Sequence, residues 1–555
     1  MNLTETLAAT LETDDRPLRG PRISRFAALI LLATGAAAAC TYYATGELVD
    51  DAYIDFRYAA NFVAGRGLVF NPGDRVEGYT NFLWVIVLSA ARWLGLDPEW
   101  SSRLLGGAFA VATVLVTATW LAGENGRPLW STLLAPVLLT LNPLWSLWAE
   151  LGLETTLFTL LVTLGLRSDG RWRREGSDAP RSALFYVLAT LTRPEGSLFF
   201  AVSLAYRVLQ QRARERWALV RSEAVTYGAL VAIFVAWRLS YYGDILPNTF
   251  YAKTGFSTAG VPRGLAYLAA FFLDAHSAPL FLLLLPALFL ASRRFELRLV
   301  FWVIFLYLAG VALEGGDGFP AFRQIVPILP ALYFLIQEGA VGLLETFRRR
   351  AAPWTAPALA AVCAAAALFH LGNLTLLAQR VRLQNDGFTA TRRLAGVALR
   401  EQVPPSTTIA LCSIGAVPYF SRLYTYDMLG LTDRHIARTM PRDFGRGRAG
   451  HEKGDGRYIL DQRPDLILIG NVLTAERSLP IEKALAMEWP YLFRAEAELV
   501  SDPDLYGLYS RDALRMPNGQ HLMLLRRKDY VLSASADTRL DRSVTDPGAT
   551  PVLRQ

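Results

Sequence analysis

Cysteine and histidine are scarce in this sequence of 555 residues, and their scarcity excludes several kinds of site. The three cysteines, Cys40, Cys363 and Cys412, are too few and too scattered for a disulfide framework or a zinc centre. The histidines His451 and His521 show no metal-ligand spacing. The sequence therefore gives no indication of a disulfide framework or of a metal centre built on cysteine and histidine.

A concentrated basic face is also absent, although the formal net charge is +7. The Lys and Arg residues fall in short loops between apolar runs, which is a pattern of membrane topology and not of nucleic-acid binding. No internal repeat is visible, and Gly415 after a predicted strand is too weak a signal for a nucleotide site.

Long apolar runs are abundant, and hydrophobic residues make up 52% of the chain. The runs at 25–44, 128–148 and 354–377 reach the length of about 20 residues that a bilayer crossing needs. A polar leader with several arginines precedes the first run. This favours an uncleaved first helix over a signal peptide or a lipoprotein leader ending at Cys40. The sequence predicts a polytopic α-helical membrane protein.

The basic loops predict the orientation of the chain in the membrane. Arginines before the first run and basic clusters at 171–174, 210–217, 292–298 and 347–350 should all be cytoplasmic. All five groups agree only if the apolar segment 82–97 is an interfacial or re-entrant helix and not a full crossing. The agreement predicts a cytoplasmic N-terminus and about eleven crossings, two of them the short halves of a hairpin. The predicted crossings are 25–44, 103–122, 128–148, 153–168, 182–192, 196–209, 222–241, 277–292, 297–313, 325–344 and 354–377.

This topology divides the chain into four parts. They are a cytoplasmic leader (1–24), a transmembrane module (25–379) with its first external loop at 45–101, an external domain (380–530) and a disordered tail (531–555). Segment 264–274 is predicted to be a second external juxtamembrane helix. In the external domain, 407–415 and 464–470 read as buried strands and 392–403 as a helix, which indicates an α/β domain.

Polar residues concentrate on the predicted external side, whereas the cytoplasmic loops carry mostly arginine. Each polar motif could merely close a turn, but several clusters on one face indicate a site, because ionisable groups at a membrane boundary are costly. The candidate residues are Asp50, Asp51, Asp55, Arg57, Arg75, Glu77, Tyr79, Glu154, Arg193, Glu195, Tyr242, Asn248, Lys253, Asp317 and Arg323.

These residue types suit a reaction on a lipid-linked phosphate. Asp51 and Asp55 are four residues apart, so a helix continuing from the first crossing would place both on one face. Such carboxylates serve as a general base or bind a divalent cation such as Mg or Mn. The candidate cations suit a phosphate group. The spacing DDxxxD also occurs in prenyl transferases, but a second Asp-rich motif is missing here.

The acidic pair after the first crossing, the interfacial helix and the external polar motifs resemble the GT-C superfamily of integral membrane glycosyltransferases. The segment DDAYIDFRYAANFVAGRGLVFNPGDRVEGYTNFLW (50–84) is similar to terminal arabinofuranosyltransferases of mycobacterial cell-wall assembly, the AftB type. So are GLET, TRPEG, YYGDILPNTFYAK, GGDGFPAFRQIVPILP and YTYDMLGLTDRHIA (424–437), the last of which is followed by GHEKGDGRYIL.

The resemblance implies decaprenyl-phosphoryl-arabinofuranose as the donor and an arabinan end as the acceptor, in a bacterial plasma membrane. It implies that Asp50 and Asp51 form the catalytic acidic pair, with one of them as general base, and that the cations hold the leaving phosphate. The alternatives are transfer of another polyprenyl-phosphate-linked sugar to protein or lipid, a lipid-linked sugar flippase, and a scaffold that acts through the external domain. Flippases tend to bury charge at mid-membrane, whereas the charges here lie at one boundary.

Overall fold

The computed structural model describes residues 25–44, 46–120, 129–175, 181–210, 217–253, 258–291, 294–350, 354–476 and 492–531. The predicted leader and nearly all of the predicted tail lie outside these ranges. The described chain comprises a helical module, followed by a smaller C-terminal domain built on a mixed sheet.

The helical module is built almost entirely from α-helices. They are α1 (Arg25–Tyr43), α2 (Ala52–Val63), α3 (Phe82–Trp93), α4 (Pro98–Ala118), α5 (Leu134–Leu141), α6 (Pro143–Glu150), α7 (Thr155–Glu175), α8 (Arg181–Thr192), α9 (Gly196–Leu209), α10 (Trp217–Tyr242), α11 (Asn248–Lys253), α12 (Val261–Phe272), α13 (Ala278–Phe281), α14 (Leu284–Ala291), α15 (Phe295–Glu314), α16 (Leu329–Arg350) and α17 (Thr355–Gln402).

Five helices of the described chain are long and apolar enough to cross a membrane, or six if one bent pair counts as a single span. The bent pair is α6 with α7, whose axes meet at 119°. The module is therefore that of an integral membrane protein. The number of eleven crossings stays a prediction, because several of the predicted segments are short or broken helices.

The predicted crossing at 128–148 is broken, and Pro143 explains the break. A proline cannot donate the backbone hydrogen bond that would continue α5 into α6. Asn142 ends α5 and caps α6, since its side-chain oxygen accepts from the backbone N–H groups of Leu144 and Trp145 at 2.8 and 3.2 Å. The predicted crossing at 277–292 is also divided into two helices, α13 and α14, with Leu282 and Leu283 between them.

The two halves of the predicted hairpin and the two segments predicted as juxtamembrane helices are all helical, whereas their position relative to the membrane stays a prediction. The helices α8 and α9 flank the tip Arg193–Glu195, and α3 and α12 have only 12 residues each. The sequence suggested that the helix carrying Asp55 continues from the first crossing, and this prediction was wrong. α1 ends at Tyr43, and α2 is a separate helix with Asp51 as its N-cap residue.

The last helix of the module, α17, has 48 residues. At a rise of about 1.5 Å per residue it is roughly 70 Å long, more than twice the thickness of a bilayer core. The predicted boundary at 379 lies within it, and the predicted helix 392–403 forms its last turns, one residue short of the predicted end. No proline interrupts the helix between Pro357 and Pro404. α17 therefore joins the helical module to the C-terminal domain as one rigid element.

The C-terminal domain has the predicted α/β character. Its strands are β1 (Thr408–Leu411), β2 (Tyr424–Asp427), β3 (Leu466–Ile467), β4 (Thr474–Ala475), β5 (Tyr509–Arg515) and β6 (His521–Arg527). Its helices are α18 (Ala416–Ser421), α19 (Arg434–Arg438), α20 (Gly456–Gln462), α21 (Arg494–Ser501) and α22 (Leu505–Leu508).

The sheet is parallel at one side and antiparallel at the other. β1 pairs in parallel with β2 and β3, whereas β6 runs antiparallel to β3, β4 and β5. Side chains of β1 alternate between two apolar clusters: Ile409 and Leu411 belong to one, and Ala410 belongs to the other. Both faces of the sheet are thus covered, which explains why 407–415 and 464–470 were recognisable as buried strands.

Candidate active site

A cavity of about 650 Å³ lies between the helical module and the C-terminal domain. Its walls come from the loop before α2, the α8–α9 tip, the end of α11, the turn after α15, the middle of α17 and loops of the sheet domain. Seven of the residues predicted from the sequence line it, namely Asp50, Asp51, Arg193, Glu195, Lys253, Asp317 and Arg323.

Asp50 joins the two parts of the chain. Its carboxylate oxygens accept hydrogen bonds from the backbone N–H groups of Ala416 and Gly415 at 2.8 and 3.2 Å. A side chain at position 415 would overlap the backbone carbonyl of Asp50, so only glycine fits there. Burial raises the pKa of Asp50, while Arg392 and the two amides oppose this rise. Both Asp50 oxygens are therefore engaged in holding the loop against the C-terminal domain.

Asp51 has a different environment, although it is the next residue. Its carboxylate also lines the cavity, and within the described ranges no group donates a hydrogen bond to it. Its negative charge acts on Lys253, Arg323 and His451. Of the adjacent pair, Asp51 is thus the carboxylate that is available to a substrate.

Asp55 and Glu154 lie behind the cavity wall. Asn81 donates to Oδ2 of Asp55 at 2.7 Å and to Oε2 of Glu154 at 3.0 Å. Glu154 and Glu195 then each bind Arg193, at 2.7 and 2.9 Å. Burial and the nearby Glu154 raise the pKa of Asp55 well above its usual range. This chain of contacts fixes the guanidinium of Arg193 at the cavity.

Arg323 is held by Asp317 and by a strained turn. Its Nε and Nη2 atoms lie 2.9 and 3.1 Å from the two carboxylate oxygens of Asp317. The preceding residues Ala321 and Phe322 have φ angles of 61° and 48°, a left-handed conformation that is unfavourable for residues other than glycine. Trp148 stabilises the turn, since its indole N–H donates to the carbonyl of Ala321 at 2.8 Å.

Lys253, the last residue of α11, is less constrained. Among the described residues it forms no ion pair, in contrast to Arg193 and Arg323. Burial lowers the pKa of Lys253, and Arg323 adds to this effect, whereas Asp51 opposes it. Of the three lining cations from the helical module, Lys253 is therefore the one best placed to gain from an added anion.

Arg57 does not line the cavity. It donates to the carbonyls of Phe70, Pro418 and Leu423 at 2.7, 2.6 and 2.8 Å, and to the side chain of Asn71 at 3.0 Å. Its guanidinium thus links the loop after α2 to the C-terminal domain. The predicted role in substrate binding is not supported by this placement.

Five further candidates also lie outside the cavity lining. Arg75 lies over the Tyr241 ring and Glu77 pairs with Arg238. The hydroxyls of Tyr79 and Tyr242 are 2.9 Å apart. Asn248 donates to the carbonyls of Gly430 and Leu431 at 2.9 and 3.0 Å. All five side chains contact other parts of the protein and do not line the cavity. Their placement therefore does not support the predicted contacts with substrate.

A divalent-cation site at Asp51 and Asp55 fits this arrangement poorly. In the part of the chain that the structure describes, no three His, Cys, Asp or Glu side chains converge as metal ligands. One oxygen of Asp55 already accepts from Asn81, and its raised pKa favours the protonated form. The positive charge at this cavity comes from Arg193, Lys253 and Arg323 of the helical module and from Arg448 of the C-terminal domain.

Several lining residues were not among the predicted site residues. Gln384, Asn385 and Phe388 come from α17, and Ser413 and His451 come from loops of the C-terminal domain. The three residues of α17 carry no motif, and they reach the cavity only because the helix runs past it. His451 lies in the segment GHEKGDG, whose glycines and charges were the only signal in the sequence.

Comparison with known proteins finds similarity to a glycosyltransferase over part of the sequence, and similarity of fold over most of the chain. Residues 379–509 match a family model described as a domain of unknown function, DUF8728. The terminal β-(1→2)-arabinofuranosyltransferase of Mycobacterium tuberculosis is 30% identical over 227 residues, which are 37% of this chain. The chain matches about a third (35%) of that enzyme's length.

Two solved structures share the fold over most of the chain. ArnT from Cupriavidus metallidurans, bound to undecaprenyl phosphate, has a TM-score of 0.56 at 14% identity, covering 89% of this chain and 97% of ArnT. The oligosaccharyltransferase AglB from Archaeoglobus fulgidus, in complex with an inhibitory peptide and a dolichol-phosphate, has a TM-score of 0.52 at 11% identity, covering 92% of this chain and 75% of AglB. The protein has the GT-C fold, and in sequence it is a partial-length relative of the terminal arabinofuranosyltransferases.

Proposed function

We propose that this protein is a glycosyltransferase that transfers D-arabinofuranose from decaprenyl-phosphoryl-arabinofuranose to an arabinan end, at the external face of a bacterial plasma membrane. The sequence relative named above supports the sugar, and the lipid phosphates bound to ArnT and AglB support the class of donor. The cavity supports the reaction class, because it brings carboxylates and cations together at the end of the helical module.

The contrast between Asp50 and Asp51 is the observation that carries the mechanism. A general base needs a carboxylate that is free to accept the proton of the acceptor hydroxyl. Both oxygens of Asp50 are engaged by Ala416 and Gly415, whereas Asp51 accepts no hydrogen bond from the described residues. We therefore assign the base to Asp51.

In the proposed step, the acceptor hydroxyl oxygen attacks the anomeric carbon of the donor sugar. The bond between that carbon and the phosphate oxygen breaks, and its electron pair leaves with the polyprenyl phosphate. The proton of the hydroxyl goes to the carboxylate of Asp51. The products are the extended glycan and the lipid phosphate, so that atoms and charge balance without a further reactant.

Lys253 and Arg323 are placed to stabilise the charge on the leaving phosphate. Lys253 has no ion-pair partner among the described residues, and a phosphate oxygen would supply one. Arg323 keeps its bidentate contact with Asp317, which orients the guanidinium before the donor arrives. Preorganised cations of this kind act on the charge that develops in the transition state.

The test is transfer by purified protein in nanodiscs, with a set of radiolabelled polyprenyl-phosphate sugars and an arabinan oligosaccharide. We expect arabinose transfer by the wild-type protein, loss of transfer in Asp51→Asn, and retained transfer in the adjacent control Asp50→Asn. Transfer of another sugar would overturn the assignment of arabinose but keep the reaction class. Donor binding and transmembrane movement of the donor, without transfer, would favour a flippase instead.

A further inference from the structure

A glycine-rich loop of the C-terminal domain, residues 444–451, is fixed against the helical module beside the cavity. Arg263 of α12 donates to the carbonyl of Gly447 at 2.7 Å. Glu452 accepts from the backbone N–H groups of Gly445 and Gly447 at 2.8 and 2.7 Å. The loop is thereby held from both of its sides, and it brings His451 into the cavity wall.

The contacts of His451 define which ring nitrogen carries its proton. Nδ1 lies 2.9 Å from the carbonyl oxygen of Ala449. Because a carbonyl only accepts hydrogen bonds, Nδ1 must be the protonated nitrogen, and Nε2 of the neutral ring is an acceptor. Burial and the neighbouring Arg448 lower the pKa of His451, in agreement with a neutral ring. Within the described ranges, Nε2 has no hydrogen-bond partner.

His451 lies near the residues assigned to the donor and to the base. A Cβ atom built on Gly318, next to Asp317, would be 3.5 Å from both Nδ1 and Cε1 of the His451 ring. A Cβ atom on Gly450 would be 3.5 Å from Cγ of Lys253, and the charge of Asp51 also acts on the ring. On its other side, the ring stacks on Phe493 at a centroid distance of 5.5 Å and an angle of 20°. The ring is thus fixed in orientation by contacts that do not use Nε2.

We propose that Nε2 of His451 accepts a hydrogen bond from a hydroxyl of the acceptor sugar and so positions the neighbouring hydroxyl for Asp51. This inference rests on the proposed function and names an acceptor contact in the C-terminal domain. A neutral acceptor atom suits a sugar hydroxyl, which donates a hydrogen bond. It suits a phosphate oxygen poorly, because both atoms would be acceptors.

Two substitutions separate this role from a purely structural one. His451→Asn keeps a donor at the place of Nδ1, so that the contact with Ala449 survives, but it has no group at the place of Nε2. His451→Gln presents an amide oxygen near the place of Nε2 and loses the contact with Ala449. Both are made in the full-length Asp51→Asn protein, so that acceptor binding is measured without transfer. Thermal unfolding is measured in parallel.

The measurement is the Kd for an arabinofuranosyl oligosaccharide by isothermal titration calorimetry. We expect His451→Asn to weaken binding about 5- to 10-fold and His451→Gln to stay within about 2-fold, as for the loss and retention of one hydrogen bond. Equal affinity in both variants, or weaker binding by His451→Gln than by His451→Asn, would overturn the proposal.

The outcome for His451 can be distinguished from the outcome for the proposed function. If the predicted pattern of Kd values is found but wild-type protein transfers no arabinose, the acceptor contact stands and the proposed function fails. If wild-type protein transfers arabinose and the two variants bind alike, the proposed function stands and the His451 contact is wrong. If the Asp51→Asn protein with His451 intact does not bind the oligosaccharide at all, the proposal for His451 is overturned.

Discussion

The two walls of the cavity differ in charge. The wall from the helical module carries Arg193, Lys253 and Arg323 together with Glu195 and Asp317. Apart from Arg448, whose guanidinium donates to the carbonyl of Gly318, the wall from the C-terminal domain contributes neutral groups, among them Ser413, Asn471 and the His451 ring. A charged wall suits a phosphate donor and a proton transfer, whereas neutral hydrogen-bonding groups suit a sugar acceptor. Under the proposed function, we therefore expect the donor to bind at the first wall and the acceptor at the second.

The largest expected effect is at the acidic pair, where the two walls meet. Asp51→Asn should lower kcat by about 10³-fold, within the range of about 10²- to 10⁴-fold for loss of a general base, with donor binding kept. Asp50→Asn is the matched control, and its kcat should stay within about 10-fold. Steady-state kinetics in nanodiscs give both values. A larger loss of kcat in Asp50→Asn than in Asp51→Asn would reverse the assignment of the base.

Substitution of Arg57 tests the contact between the helical module and the C-terminal domain, because Arg57 links the two parts but does not line the cavity. Arg57→Met removes four buried hydrogen bonds, those to the carbonyls of Phe70, Pro418 and Leu423 and that to the side chain of Asn71. Each of the three carbonyls keeps a second donor within the described residues. We expect it to lower the free energy of unfolding by about 3 kcal/mol, since four buried hydrogen bonds with a net value of about 0.5–1.5 kcal/mol each are lost. Arg66→Met, at an exposed position, should cost less than about 1 kcal/mol. Chemical denaturation in detergent measures both, and similar values would contradict the linking role of Arg57.

Substitution of Lys253 tests whether the charged wall binds the donor. Lys253→Met should raise the donor KM by about 10- to 100-fold, as expected for loss of one hydrogen bond to a charged group worth about 1.5–3 kcal/mol. The acceptor KM should change by less than about 3-fold. Arg75→Met is the control, because Arg75 is exposed and stacks on Tyr241 away from the cavity lining. An unchanged donor KM in Lys253→Met would remove this residue from the phosphate contacts.

The local elements of the charged wall were predictable from the sequence. Residues 193–195 lie between two short apolar segments, and the proline at 194 and the glycine at 196 favour a turn there. The predicted helix boundaries of the hairpin therefore agree with the structure to within one residue. The Asp-rich segment was recognisable because charge at a membrane boundary is unusual. The neutrality of the other wall gave no comparable signal, since asparagine, serine and a single histidine occur in any loop.

The sequence could not show which of the predicted residues are available to a substrate and which are engaged in contacts within the protein. Asp50 and Asp51 are adjacent in sequence. They differ because the backbone N–H of Gly415, 365 residues further along the chain, donates a hydrogen bond to Asp50 and not to Asp51. Arg57 and Arg323 are equally plausible as phosphate contacts by residue type. They differ because three carbonyls surround Arg57, whereas Arg323 follows a strained turn that directs it into the cavity.

The smallest expected effect concerns Asp427, which supports the neutral wall. Its carboxylate accepts from the N–H groups of Leu429 and Thr432 at 2.9 and 2.7 Å, in the turn that places Leu429 and Leu431 in the cavity wall. Burial raises the pKa of Asp427 from 3.8 to about 6, against the opposing effect of these amides. Because the folded-state pKa is raised, the folded protein binds the proton more tightly than the unfolded protein. Stability from this residue is therefore present below pH 4 and is lost as the pH rises to about 6.

We expect the unfolding free energy to fall by at most about 2–3 kcal/mol over this pH range because of Asp427, at 1.36 kcal/mol per pKa unit. Asp427→Asn keeps the shape of the side chain and removes its titration. The difference in Tm between pH 4 and pH 7 should accordingly be smaller in the variant than in the wild-type protein. An equal difference would mean that the pH dependence arises elsewhere. In that case Asp427 would stabilise the wall of the C-terminal domain only through its hydrogen bonds to the two backbone amides. The two walls would then differ in that a change of pH between 4 and 7 does not alter the contribution of Asp427.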